Sequence, residues 1–213
     1  MILLVDTNPL LEQRLKGESF PKGARARATE KQTTPAGYGA HMARLARSIN
    51  EDARLMAFLG GDAGERYKKL MEAEGIPVVA KTIRDETVER LILEEKNRKT
   101  TIETKAPRLT REDMVDFYDR FLNEAAAADA VVLAESSDDD GADEMKLPLV
   151  RYARRLSKPV IIIANEEDDV EEVKEAKPFG IVVDRDVLAA KLNKPIHFLG
   201  EIVSALDVLY GGE

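Results

Sequence analysis

The sequence contains no cysteine and no tryptophan, has two histidines, and carries aromatic side chains at only 5 % of its 213 positions. Without cysteine there is no disulfide framework, no thiolate nucleophile and no sulfur-ligated metal, a pattern that suits a reducing, cytoplasmic compartment. Two histidines are too few for an imidazole metal cluster. No apolar run is long enough to cross a bilayer, and the opening MILLVDTNPLLEQ has no basic segment ahead of its short apolar stretch, so the reading is a soluble protein without a membrane partner. A net charge of -8 argues against a nucleic-acid partner, because backbone binding depends on clustered cations. No internal repeat or low-complexity linker interrupts the chain.

What is present is an aliphatic core, 44 % hydrophobic residues with few rings, in a chain of single-domain length. Charged residues at 34 % fit a heat-adapted protein. The pattern predicts a strand at 2–6 closed by Asn8-Pro9, exposed strands within 12–34, and a helix through Met42 to Ala46. A buried strand follows at 55–59, then a helix from an N-cap at Asp62 to Glu74, stopped by Gly75. Short β-rich runs fill 77–105, with strands at 88–93 and 100–104 around a turn at 95–98. Thr110 and Asp113 form a capping-box pattern ahead of a stripe of Met114, Phe117, Phe121 and Leu122, which reads as core. Strands at 130–134, 160–164 and 180–183 then alternate with helices at 144–156, 169–176 and 185–192, and a last helix is expected at 199–210. Such alternation implies a parallel sheet with crossover helices.

Several segments, in order, resemble the ribokinase-like, PfkB-type carbohydrate kinases, above all their 1-phosphofructokinase and tagatose-phosphate kinase branch. Ile2 to Glu12, ILLVDTNPLLE, is similar to that branch's first strand and Asn-Pro-Ala-Leu-Asp turn. The segment 34–44, TPAGYGAHMAR, resembles its Gly-Gly-Lys-Gly-x-Asn-x-Ala stretch, and 58–64, FLGGDAG, its Phe-Leu-Gly-Gly-Asp-x-Gly stretch. Thr100-Thr101-Ile102-Glu103 with Pro107 stands where the family has Thr-Glu-Ile-Asn and a later Pro. The resemblance implies an α/β ribokinase-like three-layer sandwich with a mainly parallel central sheet and a small β-sheet lid. It further implies a single domain over 1–213 without the family's C-terminal nucleotide-binding part, with lid segments at 12–34 and 77–105.

Residue by residue, the family's sugar-contacting positions fall on Asn8, Glu12, Gly37, Tyr38, Gly39, His41, Arg90 and Glu103. Several depart from the pattern. Glu12 replaces a shorter Asp, Tyr38 a Lys, His41 an Asn and Glu103 an Asn, while Val88 follows Thr87 where an Arg is expected and Arg90 lies nearby. Carboxylates in place of amides or cations repel a sugar phosphate. On the nucleotide side, Ala134-Glu135-Ser136 stands for Ser-Gly-Ser, and Asp184 heads the counterpart of Asn-x-x-Glu. The segment with the Gly-Ala-Gly-Asp base, on which phosphoryl transfer depends, is expected to be missing.

The acidic stretch 135–144 and the run 166–172 read as solvated helix starts rather than metal sites, and Arg25, Arg27 and Lys31 as a charged lid edge. The glycines at 37, 39, 60, 61 and 64 read as turn and close-packing residues, and His41 as an ordinary helix-start residue. The expectation is therefore a non-catalytic pseudokinase scaffold with no catalytic residue and no metal site. It would take no cofactor, ATP and Mg entering only if activity survives, and it would form a homodimer through the β-lid. The alternatives are one half of a split carbohydrate kinase completed by a complementary kinase subunit, and a sensor that binds a sugar or sugar phosphate.

Overall fold

The computed structural model describes residues 1–134, 143–164 and 180–183. In chain order the elements are β1 (Ile2–Asp6), β2 (Leu10–Lys16), β3 (Glu30–Ala36), α1 (Tyr38–Ser48), β4 (Ala53–Gly60) and α2 (Gly61–Ala73). Then come β5 (Val78–Ile83), β6 (Val88–Glu94), β7 (Lys99–Glu103), α3 (Arg111–Ala127), β8 (Ala130–Ala134), α4 (Asp143–Arg155), β9 (Val160–Ala164) and β10 (Gly180–Val183).

Six strands form one parallel sheet in the order β10-β9-β8-β1-β4-β5. Its central strand β1 is buried at every position, and alternate side chains feed two different cores, as the twofold repeat of a strand requires. Ile2 and Leu4 join Ala43, Ala46, Tyr67 and Met71 of α1 and α2 on one face. Leu3 and Val5 join Phe117, Phe121, Leu149 and Ala153 of α3 and α4 on the other. These are the three layers of a ribokinase-like α/β sandwich. Phe117 stacks on Phe58 of β4 with centroids 4.1 Å apart, so the expected α3 stripe is indeed core.

Local signals account for the ends of the helices. Thr110 and Asp113 complete a reciprocal capping box at α3. At the end of α2, Gly75 adopts φ 77°, and the N–H groups of Gly75 and Ile76 donate to the carbonyls of Glu72 and Met71, a Schellman closure. Asp62, expected as the N-cap of α2, lies instead inside its exposed first turn. The cap is Gly60, and the anion at the helix start is Glu86, whose Oε1 accepts from the Ala63 N–H at 2.7 Å.

The second sheet is mixed and runs β3-β2-β6-β7, with β2 parallel to β6 and both outer pairs antiparallel. It is reached directly from the C-terminal ends of β1 and β5. One expectation is corrected here: β5, with Val79 and Ile83, is the edge strand of the central sheet, so the small sheet takes from 77–105 only β6 and β7. The β-run of 78–83 looks the same in sequence in either sheet; parallel pairing with β4 decides it. Lys81 of β5 is tied to Asp113 and Asp116 of α3 at 3.4 and 2.8 Å, which joins this edge strand to the helix. The helices expected at 169–176, 185–192 and 199–210, the acidic stretches at 135–142 and 166–172, and Asp184 lie outside the described residues.

Candidate functional site

The order of the central sheet reverses beside β1: the chain moves from β1 to β4 and β5 on one side, then to β8, β9 and β10 on the other. In open α/β sheets such a switch point leaves a crevice beyond the carboxyl ends of the strands, where ligands bind. The last residue of β1 is Asp6, in register with Ala57 of β4 and Ala134 of β8.

Asp6 is 2 % exposed. Its Oδ1 accepts from the Asn8 N–H at 3.2 Å and its Oδ2 from the Gly39 N–H at 3.1 Å, so one carboxyl joins the end of β1, the β1–β2 turn and the first turn of α1. Burial pushes this carboxyl up to about 7, against the opposing pull of the Asn8 and Gly39 N–H groups. The glycine turn is shaped around it. A Cβ on Gly39 would stand 2.4 Å from the Cβ of Asp6, and one on Gly37, whose φ is 98°, would stand 3.2 Å from Oδ2. Helix α1 has no acidic residue in its first turn and no side-chain cap, so the Asp6 carboxyl is the group that meets its positive end. Tyr67 of α2 is fully buried, its hydroxyl has no hydrogen-bond partner among the described residues, and burial first and the nearby Asp6 second push that hydroxyl well up.

The expected sugar-contacting residues fall into two groups. Asn8, Gly37 and Gly39 surround Asp6, with Tyr38 half-buried and His41 exposed on the same helix start. Glu12, Arg90 and Glu103 come together on the small sheet, because Glu12 pairs with Arg90 across β2 and β6, and Arg90 with Glu103 across β6 and β7. Arg90 Nε donates to Glu103 Oε1 at 2.5 Å, and its Nη1 lies 3.8 Å from Glu12 Oε2. The other Glu12 oxygen takes Arg14 Nη2 at 3.1 Å, and Arg14 also reaches Glu94 at 3.6 Å. The strip is thus two guanidinium groups among three carboxylates.

At the rim, the Thr87 hydroxyl accepts from the Gly60 N–H at 2.9 Å, and the Thr87 N–H donates to the Gly60 carbonyl at 3.0 Å. Cβ atoms on Gly60 and Gly61 would run into the Asp85 carbonyl and the Glu86 carboxylate. These glycines therefore admit the β5–β6 loop at the start of α2. Sequence reading passed over Asp6, Tyr67 and Glu86. The only linear signal for Asp6 is a charged residue ending an otherwise apolar strand. Among the described residues no group of three or more His, Asp or Glu side chains is arranged to hold a metal ion, and no helix is long and apolar enough to cross a membrane.

The fold, a parallel sheet between two helix layers with a small second sheet, is that of the ribokinase-like carbohydrate kinases. Residues 10–203 match the pfkB family of carbohydrate kinases, and the chain belongs to that family. Among solved structures, it is similar to a protein from Thermotoga maritima described as a possible 1-phosphofructokinase, with TM-score 0.77 and 21 % identity over 98 % of this chain and 68 % of that one. It is also similar to phosphofructokinase-2 of Escherichia coli in its tetrameric inhibited form, with TM-score 0.73 and 18 % identity over 99 % of this chain and 70 % of that one. At these identities the likeness establishes the fold.

Proposed function

We propose that this member of the pfkB family is a non-catalytic scaffold that binds a partner or a small ligand and does not phosphorylate sugars. The observation that carries this reading is the strip Glu12–Arg90–Glu103. The guanidinium nearest the place of the family's phosphate-holding Arg is already bracketed by two carboxylates of the chain itself. An incoming sugar phosphate would have to displace Glu103 from Arg90 and then sit beside Glu12, and like charges so placed repel. Tyr38 in place of the glycine-flanked Lys removes a further cation from the positions that the resemblance assigns to the sugar phosphate. The test is a coupled ADP-release assay with fructose phosphates, tagatose phosphate and ribose, paired with titration calorimetry of Mg-ATP and of each acceptor. The expected result is no turnover and no binding of sugar phosphates. Turnover that persists through repurification would overturn the reading; a sugar bound without nucleotide would make the chain a sensor, and turnover restored by a second chain would make it half of a split kinase.

The scaffold role includes a homodimer through the small sheet. Leu15, Leu91, Leu93 and Ile102 share one face of that sheet, paired across β2, β6 and β7. Ile102 is 53 % exposed and the three leucines are only half-buried, an apolar strip that a second copy would cover.

A further inference from the structure

Nothing in the scaffold role calls for a carboxyl at Asp6, yet three segments are built around it. Its oxygens hold Asn8 of the β1–β2 turn and Gly39 of α1, and Gly39 has no room for even a methyl group against it. Ala57 of β4 and Ala134 of β8 flank it in register with apolar side chains. From α2 the titratable group facing it is the Tyr67 hydroxyl, which has no partner among the described residues. Behind Tyr67 lies the ion pair of Arg44 on α1 with Glu74 at the end of α2, 2.6 Å between Nε and Oε2. Among the described residues no Lys, Arg or His forms an ion pair with Asp6 itself.

A carboxylate buried without a cation is costly, whereas a neutral carboxyl is tolerated in the same place. Two N–H donors offset only part of that cost. The least expensive relief is local: the two turns that Asp6 joins swing outward and let water reach the charge.

We propose that Asp6 is a proton-operated latch, which holds the β1–β2 turn and the glycine turn of α1 closed over the switch-point crevice when neutral and lets them open when ionised. The segments it governs, Asn8 and Gly37 to His41, are those that the family resemblance places around a ligand, so access to the crevice is coupled to pH. The latch rests on packing around Asp6 and is independent of whether the chain transfers phosphate.

The sign follows from the direction of the shift. A carboxyl raised to about 7 in the closed state and ordinary when hydrated binds its proton more tightly when closed. Closure is therefore strongest at low pH, weakens as pH rises from the hydrated value toward 7, and is constant above that.

Hydrogen exchange on the intact chain tests this. After correction for intrinsic exchange, protection at residues 7, 8, 10 and 37–43 should fall roughly ten- to fifty-fold between about pH 5 and pH 7. In Asp6→Asn the same amides should show no such dependence, and the amides of α3 should be indifferent in both proteins. Should the variant fail to fold, the wild type suffices: the midpoint of the opening must coincide with the titration of the Asp6 carboxyl carbon followed by NMR. A change below about twofold, an equal fall in Asp6→Asn, or midpoints more than about one pH unit apart overturns the latch.

Discussion

Replacing Gly39 by alanine probes the packing at Asp6 most directly. The added Cβ would lie 2.4 Å from the Asp6 Cβ, 2.5 Å from Oδ2 and 2.8 Å from Cγ. These atoms are the root of a buried side chain on a central strand, so they cannot swing aside. Position 39 is helical, and propensity alone would make alanine stabilising there by about 1 kcal/mol. Relieving the overlap instead means pushing α1 away from β1, which costs about 1–3 kcal/mol as overpacking. It also breaks the Gly39 N–H bond to Asp6, worth about 0.5–1.5 kcal/mol for the neutral carboxyl of the closed turns. The net expectation is a loss of about 0.5–3.5 kcal/mol. In an Asp6→Gly background the obstruction is gone, and Gly39→Ala should be neutral or stabilising by up to about 1 kcal/mol. Urea denaturation of the four proteins of this cycle should therefore give a coupling energy of at least about 1.5 kcal/mol. If Gly39→Ala costs the same in both backgrounds, to within about 0.5 kcal/mol, the clash is not with Asp6 and the reasoning fails.

Tyr67→Phe removes a buried hydroxyl that has no partner among the described residues and should raise stability by about 1 kcal/mol by chemical denaturation; a comparable loss would show that the hydroxyl is bonded. For assembly, multi-angle light scattering should find a dimer in the wild type and a monomer in the Leu91→Asp, Ile102→Asp double variant, since these residues pair on the apolar face of the small sheet. A monomeric wild type, or a dimer unaffected by the two changes, would refute the proposed interface.

Local pattern was enough to read the fold class and most of the described secondary structure. Strand β1, the Thr110 capping box, the Gly75 stop, and the strands at 130–134 and 180–183 lie where local pattern puts them, because each depends on neighbours within a turn or two of chain. The family was legible for the same reason: its glycine turns are contiguous motifs.

Which residues those turns accommodate emerges only from the packing of the whole chain. Asp6 meets Gly39 across 33 positions and Glu86 meets Ala63 across 23, so no window of sequence shows that one glycine turn is filled by the chain's own carboxyl and that another helix start is held by a loop carboxylate. Strand β5 was likewise ambiguous, since a β-run carries no record of its partner until β4 pairs with it. Arg90 shows the limit most plainly. As a letter it reads as a cation available to an anion, and only the adjacency of β2, β6 and β7 places a carboxylate on either side of it. Local geometry is encoded by near neighbours, whereas the electrostatics of a site depend on groups brought together from distant parts of the chain.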